Sequence, residues 1–266
     1  DQDLHTATDR FGSGRVEEGI ALLNKVITEQ PETADAYISL AHAYYEAGQV
    51  QPAIATLEKG LAAGAPPRDI RIRLGIYLAE GGGDSARAIK ELEHVPTDDV
   101  EALNALGIAY TDAKRYADAV QTFNRVLALD PTNGIAYWNL AVVSLKEADD
   151  PKHASEREAK LHTSESFATQ AITADPSLAG AYTTLGVVYS YSGRKDKAIE
   201  IWQRAVDLDG TEFYALYNLW HELAAAGRRD EAAKYARQFV ATAPPALYPS
   251  ELNEIRSFLG GKSEER

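Results

Sequence analysis

Side chains able to do acid–base or metal chemistry are present in this sequence, but they are scattered. The six histidines, His5, His42, His94, His153, His162 and His221, form no pair at the i, i+4 spacing that sets two ligands on one helix face, so they do not read as a metal site. Asp and Glu number 40, yet most fall where a helix would turn them to solvent, and nothing sets two of them across a cleft for general acid–base work. "GGKS" at Gly260–Ser263 imitates the end of a phosphate-binding loop. Arg256 stands where such a loop needs its earlier glycine, and no strand pattern precedes it. With no cysteine there is neither disulfide nor thiolate chemistry. The expectation is a protein without a catalytic site, a cofactor or a metal.

Composition narrows the class further. The chain has 266 residues and a net charge of −13, which disfavours a phosphate backbone as partner. Arg194, Lys195, Lys197, Arg204, Arg228 and Arg229 gather in the last third, and read as the solvated face of two helices. No apolar run approaches the ~18 residues of a membrane span, so no membrane insertion is expected. Lacking any methionine, the chain reads as a mature form or an excised piece, compatible with a cytoplasmic or an exported protein.

Function must then lie in the elements themselves, and these repeat. "ALDPTNGIAYWNL" (Ala128–Leu140) returns as "TADPSLAGAYTTL" (Thr173–Leu185). Pro31, Pro66, Pro96, Pro131, Pro176 and Pro244 are separated by 35, 30, 35, 45 and 68 residues, and Gly210 halves the last gap. A period of about 34 residues results. Within the clearest unit, Val100–Asn133, apolar or small residues at Leu103, Leu106, Gly107 and Tyr110, then Ala119, Phe123 and Val126, mark one face of each of two helices. "DAKRY" separates them, and Asp-Pro stops the second. Tyr37, Leu40, Ala41, Tyr44, Ala53, Leu57 and Gly60 repeat the pattern. So do Tyr182, Leu185, Gly186, Tyr189, Ala198, Trp202 and Ala205. In a fourth copy Trp220 takes the usual small position.

This arrangement resembles the tetratricopeptide repeat over most of the chain. The resemblance implies an all-α fold, a right-handed α-solenoid of stacked antiparallel helix pairs in one domain, 1–266. About seven units are expected, at 1–31, 34–66, 68–96, 100–133, 134–178, 179–212 and 213–245. The first keeps only its second helix clearly, and the third has Gly81–Gly83 and a shortened second helix. The fifth carries an insert over 148–158, "ADDPKHASERE", read as an extended loop and an added N-terminal turn on the next helix. A capping helix is expected at 250–259, where Leu252, Ile255 and Leu259 share a face, and a disordered tail at 261–266.

In such a stack the first helices line a groove, and the positions not used for packing face it. By phase, the candidate peptide-binding residues are His42, Tyr45, Arg73, Asn104, Trp138, Asn139, Tyr191, Tyr217, Asn218 and His221. Ile38, Ile72, Thr183 and Thr184 also fall in the lining. Aromatics would offer contact area, and asparagine both donates and accepts, so it can pair with a peptide backbone whatever its sequence. The resemblance assigns that task to the phase of Asn139 and Asn218. Ile38, Ile72, Asn104, Trp138, Thr183 and Tyr217 stand where the lysine of a chaperone-tail carboxylate clamp would be, which argues for an apolar guest. The expected function is a non-catalytic scaffold for a protein or peptide segment. The alternative is an appendage of a larger enzyme, since Phe239–Leu252 weakly resembles repeat regions attached behind sulfatase-type hydrolases. Self-association is a third route.

Overall fold

The computed structural model describes residues 4–7, 10, 15–81, 83–96, 98–245 and 247–260. Two compact units make up the chain, Asp1–Leu129 and Asp130–Arg266. In the N-terminal unit, α1 (Val16–Glu29) precedes three antiparallel pairs. These are α2 (Ala34–Glu46) with α3 (Val50–Ala62), α4 (Pro67–Glu80) with α5 (Ser85–Leu92), and α6 (Val100–Asp112) with α7 (Tyr116–Leu129). The C-terminal unit pairs α8 (Gly134–Asp149) with α9 (Arg157–Ala174), α10 (Ala179–Tyr191) with α11 (Lys195–Leu208), and α12 (Phe213–Ala225) with α13 (Arg229–Thr242). It ends in α14 (Pro249–Gly260), packed on α13. The tail at 261–266 lies outside the described residues. No described helix is long and apolar enough to cross a membrane.

Within each unit the first helices of neighbouring pairs also touch, α2 with α4 and α4 with α6, then α8 with α10 and α10 with α12. They form one layer, with the second helices behind them. Small residues permit the close approach of helices within a pair. At Gly107 a β-carbon would sit 2.5 Å from Phe123 Cζ, and at Gly186 it would sit 2.7 Å from Trp202 Cε2. Phe123 and Trp202 are correspondingly buried, and Trp202 Nε1 donates to the carbonyl of Thr183 at 3.0 Å. The last pair cannot pack this way, because Trp220 fills the small position. Trp220 meets Phe258 of α14 edge-on at 5.6 Å, and Leu252 and Ile255 complete the core beneath it.

The repeated phrase has a local cause. Asp130 Oδ1 accepts from the backbone N–H and hydroxyl of Thr132, and Asp175 Oδ1 accepts from those of Ser177. Six residues after each proline a tyrosine returns to it: Tyr137 Oη donates to the Pro131 carbonyl at 3.3 Å and Tyr182 Oη to that of Pro176 at 3.2 Å. The Asp closes the turn, the proline ends the preceding helix, and the tyrosine fixes the angle at which the next helix leaves.

The insert is more ordered than the extended loop read from its charges. α8 continues to Asp149, Pro151–Glu156 form a 3-10 turn, and α9 starts at Arg157 and runs for 18 residues. Asp150 accepts the Lys152 N–H at 3.0 Å, and Arg157 Nη1 donates to the Ala148 carbonyl at 2.9 Å, which together tie the turn down. Lower in the same pair Ser164, fully buried, donates to the Ala141 carbonyl at 2.8 Å and joins α9 to α8.

Candidate functional site

The first-helix layer of the C-terminal unit carries Trp138 and Asn139 on α8, and Tyr217, Asn218 and His221 on α12. Trp138 is half-buried and already engaged. Its Nε1 donates to Thr184 Oγ1 of α10 at 2.9 Å, while that hydroxyl donates to the Gly180 carbonyl at 3.0 Å. The indole lies over Gly180, where a β-carbon would come within 2.8 Å of Cη2. Trp138 therefore spans two first helices as well as lining their face.

Tyr217 is also engaged. Its hydroxyl donates to Glu254 of α14 at 2.8 Å, and burial, this hydrogen bond and the negative charge of Glu254 push its pKa up to about 12. Its ring meets Trp220 edge-on at 5.3 Å, and the exposed His221 ring lies 6.4 Å away at 18°. Glu254 was not among the sequence candidates. The signal was its place in the capping helix, two residues after Leu252 and one before Ile255, on the side that turns toward α12.

The asparagines differ from the aromatics. Asn139 is buried, at 7% exposure, and its Nδ2 has no acceptor among the described residues. Asn218 is half-buried, and its side chain makes no hydrogen bond to a described residue. Tyr191, 46% exposed at the end of α10, does not join this group. It lines a separate cleft beside the insert, with the Arg157 guanidinium 5.1 Å from its ring.

In the N-terminal unit, Tyr45 of α2 stacks on Tyr77 of α4 with centroids 4.2 Å apart and planes 7° apart. A hydrogen bond of 3.3 Å joins His42 Nδ1 and Tyr77 Oη. Tyr77 thus brings the two candidates together from the adjacent helix, 35 residues beyond His42, one repeat period away. Arg73 is half-buried with no ion pair among the described residues. Asn104 is half-buried, and its Oδ1 is enclosed without a donor among the described residues. Ile72, expected in the lining, is 1% exposed and belongs to the core. Among the described residues no group of His, Asp and Glu is arranged to hold a metal ion.

Comparison with known proteins decides the family. Models of the tetratricopeptide repeat match residues 10–74, 100–133 and 179–212. The chain is a tetratricopeptide repeat protein. Its fold is similar to a tetratricopeptide repeat protein from Parabacteroides merdae, with a TM-score of 0.70 at 15% identity, covering 97% of this chain and 96% of that one. A thermophilic tetratricopeptide repeat protein of Thermus thermophilus gives 0.58 at 19% identity, covering 85% and 99%. Human IFIT1, solved as a dimer with PPP-AAAA, gives 0.69 at 14% identity, covering 91% of this chain and 59% of that one. At these identities the likeness is one of fold. No curated protein matches.

Tetratricopeptide repeats act in general as scaffolds for other proteins, and the matched repeats support a protein-interaction role for this chain. The hydrolase resemblance of Phe239–Leu252 draws no support from these matches. The stretch has a local role, since Tyr248 packs tilted on Phe213 at 5.0 Å and edge-on to Phe239 at 5.6 Å, seating α14.

Proposed function

We propose that this tetratricopeptide repeat protein binds an extended or helical segment of another protein on the first-helix face of its C-terminal unit, through Asn139 and Asn218. A counterpart on the N-terminal unit comprises His42, Tyr45, Arg73 and Asn104. The supporting observation is that Asn139 Nδ2 and the Asn218 side chain have no hydrogen-bond partner among the described residues, while Trp138 and Tyr217 beside them spend their polar atoms on neighbouring helices. An enclosed amide atom without a partner costs about 1–3 kcal/mol, which favours a shift of the Asn139 side chain on binding that brings its amide to a carbonyl of the guest backbone. On the C-terminal unit the candidates are uncharged or aromatic, so the guest is an apolar segment held by its main chain, with Trp138, Tyr217 and His221 against its side chains.

Panning a displayed library of disordered peptides against the protein tests this, with the enriched peptides then titrated onto wild type and an Asn139→Ala, Asn218→Ala variant. The expected result is apolar peptides whose affinity falls at least about tenfold in the variant while its helical content is unchanged. Peptides that bind both forms equally would move recognition elsewhere on the molecule.

A further inference from the structure

The insert creates a second feature, distinct from the asparagine faces. α9 is 18 residues long, against 14 for α11, because the insert adds turns at its N-terminal end. Those turns project beside the short connection from α10 to α11. A cleft of about 710 Å³ opens there, walled by the 3-10 turn, one face of the start of α9, and the segment from Tyr191 to Arg194.

Two guanidinium groups are fixed in this cleft. Arg194 donates through Nη1 and Nη2 to Glu165 at 2.9 and 2.7 Å and lies 4.3 Å from the Tyr189 ring. Arg157 is anchored only through Nη1, which donates to the Ala148 carbonyl at 2.9 Å and lies 3.5 Å from Asp149. Its Nε and Nη2 make no hydrogen bond to a described residue, and those two atoms form the side-on fork that matches a carboxylate. Tyr191 beneath it offers an exposed ring. Positive charge converges on Glu165, whose carboxyl is held below its ordinary range by the hydrogen bonds from Arg194, with the charges of Arg194, His162 and Lys197 adding to the effect. Of the two wall carboxylates, Glu165 is spent on Arg194, whereas Glu158 is exposed and pairs with no described residue.

We propose that this cleft binds an acidic segment of a partner protein, one Asp or Glu carboxylate docking on the Nε–Nη2 fork of Arg157 with its methylene groups against Tyr191. His162, exposed on the next turn of α9, supplies a further donor. A peptide fits better than a nucleic acid. Its carboxylates can be spaced to meet a single fork, whereas a phosphate backbone brings a charge at every nucleotide. Glu158 makes the proposal sharp: beside a docked carboxylate it repels, so neutralising it should strengthen binding.

The test is fluorescence anisotropy with a short labelled peptide of alternating Glu and Ala, against Gln–Ala and Lys–Ala peptides and an oligothymidylate of equal length. The Glu peptide is expected to bind most tightly. Arg157→Gln should weaken it at least about tenfold, and Glu158→Gln should tighten it roughly threefold. Arg157→Gln also removes the bond to Ala148, so its melting curve is compared with wild type. Glu158→Gln touches no structural contact and keeps the test decisive if Arg157→Gln fails to fold. A Glu peptide that binds no better than its Gln counterpart, an unchanged affinity in Glu158→Gln, or a preference for the Lys peptide or the oligonucleotide would each overturn the proposal.

Discussion

Substituting Gly186 by alanine adds one methyl group to a place where the structure has no room for it. A β-carbon there would lie 2.7 Å from Trp202 Cε2, and closer still to Nε1 and Cδ1 of the same indole. The indole cannot swing away freely, being 3% exposed and bonded through Nε1 to the Thr183 carbonyl at 3.0 Å. Overpacking of this kind costs about 1–3 kcal/mol. Displacing the ring also strands a buried donor, at about 1–3 kcal/mol more, while alanine returns about 1 kcal/mol of helix propensity. A net loss of about 3 kcal/mol results, which for a unit of this size lowers the melting midpoint by roughly 10 °C. Circular dichroism melts of Gly186→Ala and wild type measure it, with near-ultraviolet spectra reporting the tryptophan environment. Gly210→Ala is the control, because a β-carbon there meets only Gln238 Nε2 at 3.5 Å. If Gly186→Ala melted with wild type, the packing of α10 on α11 would not be the close contact described.

Two further predictions concern the turns and the cap. Lys114 holds φ +57° in the turn from α6 to α7, where the corresponding turns place Gly48, Gly193 and Gly227 at +73°, +75° and +74°. Lys114→Gly should therefore raise the urea midpoint, by an amount worth about 1 kcal/mol, and a lower midpoint would contradict the strain. The Tyr217 phenol has its pKa raised from 10.0 to about 12 in the folded protein, so its contribution to stability is complete below pH 10 and is lost as pH rises through about 12. Tyr217→Phe should remove that part of the alkaline destabilisation. Identical pH profiles of unfolding for the two proteins would mean that the Tyr217 phenol is neither buried nor held by Glu254 as described.

Most of the helix pairing was legible, because a helix pair that packs a small face on a large one repeats the same residue types at the same phase. Gly107 against Phe123 and Gly186 against Trp202 are contacts between positions 16 residues apart within one repeat, and the period fixes them. The insert was harder to read. Pro151 and its charged neighbours have loop composition, and what orders them is a pair of side-chain bonds, Asp150 to the Lys152 N–H and Arg157 to the Ala148 carbonyl. Neither follows from hydrophobic periodicity, since both are made by polar side chains to the backbone.

The candidate site divides along the same line. Phase tells which side of a helix a residue occupies, but not whether its polar atoms are already in use. Trp138 reads from sequence as an exposed aromatic hook. Its indole N–H is instead committed to Thr184, 46 positions later, and its ring to the space that Gly180 leaves empty. Tyr217 is committed to Glu254, and Tyr45 to Tyr77. Each such bond joins neighbouring helices and so sets the spacing of the layer. The asparagines add no hydrogen bond to that spacing: Asn139 and Asn104 each enclose an amide atom without a partner among the described residues. A residue that orders the fold can rarely be removed without disturbing it, whereas an unspent amide can. Asn139→Ala should for that reason break no hydrogen bond between helices while removing the amide that a guest would draw out on binding, which makes it a cleaner probe of binding than Trp138→Ala.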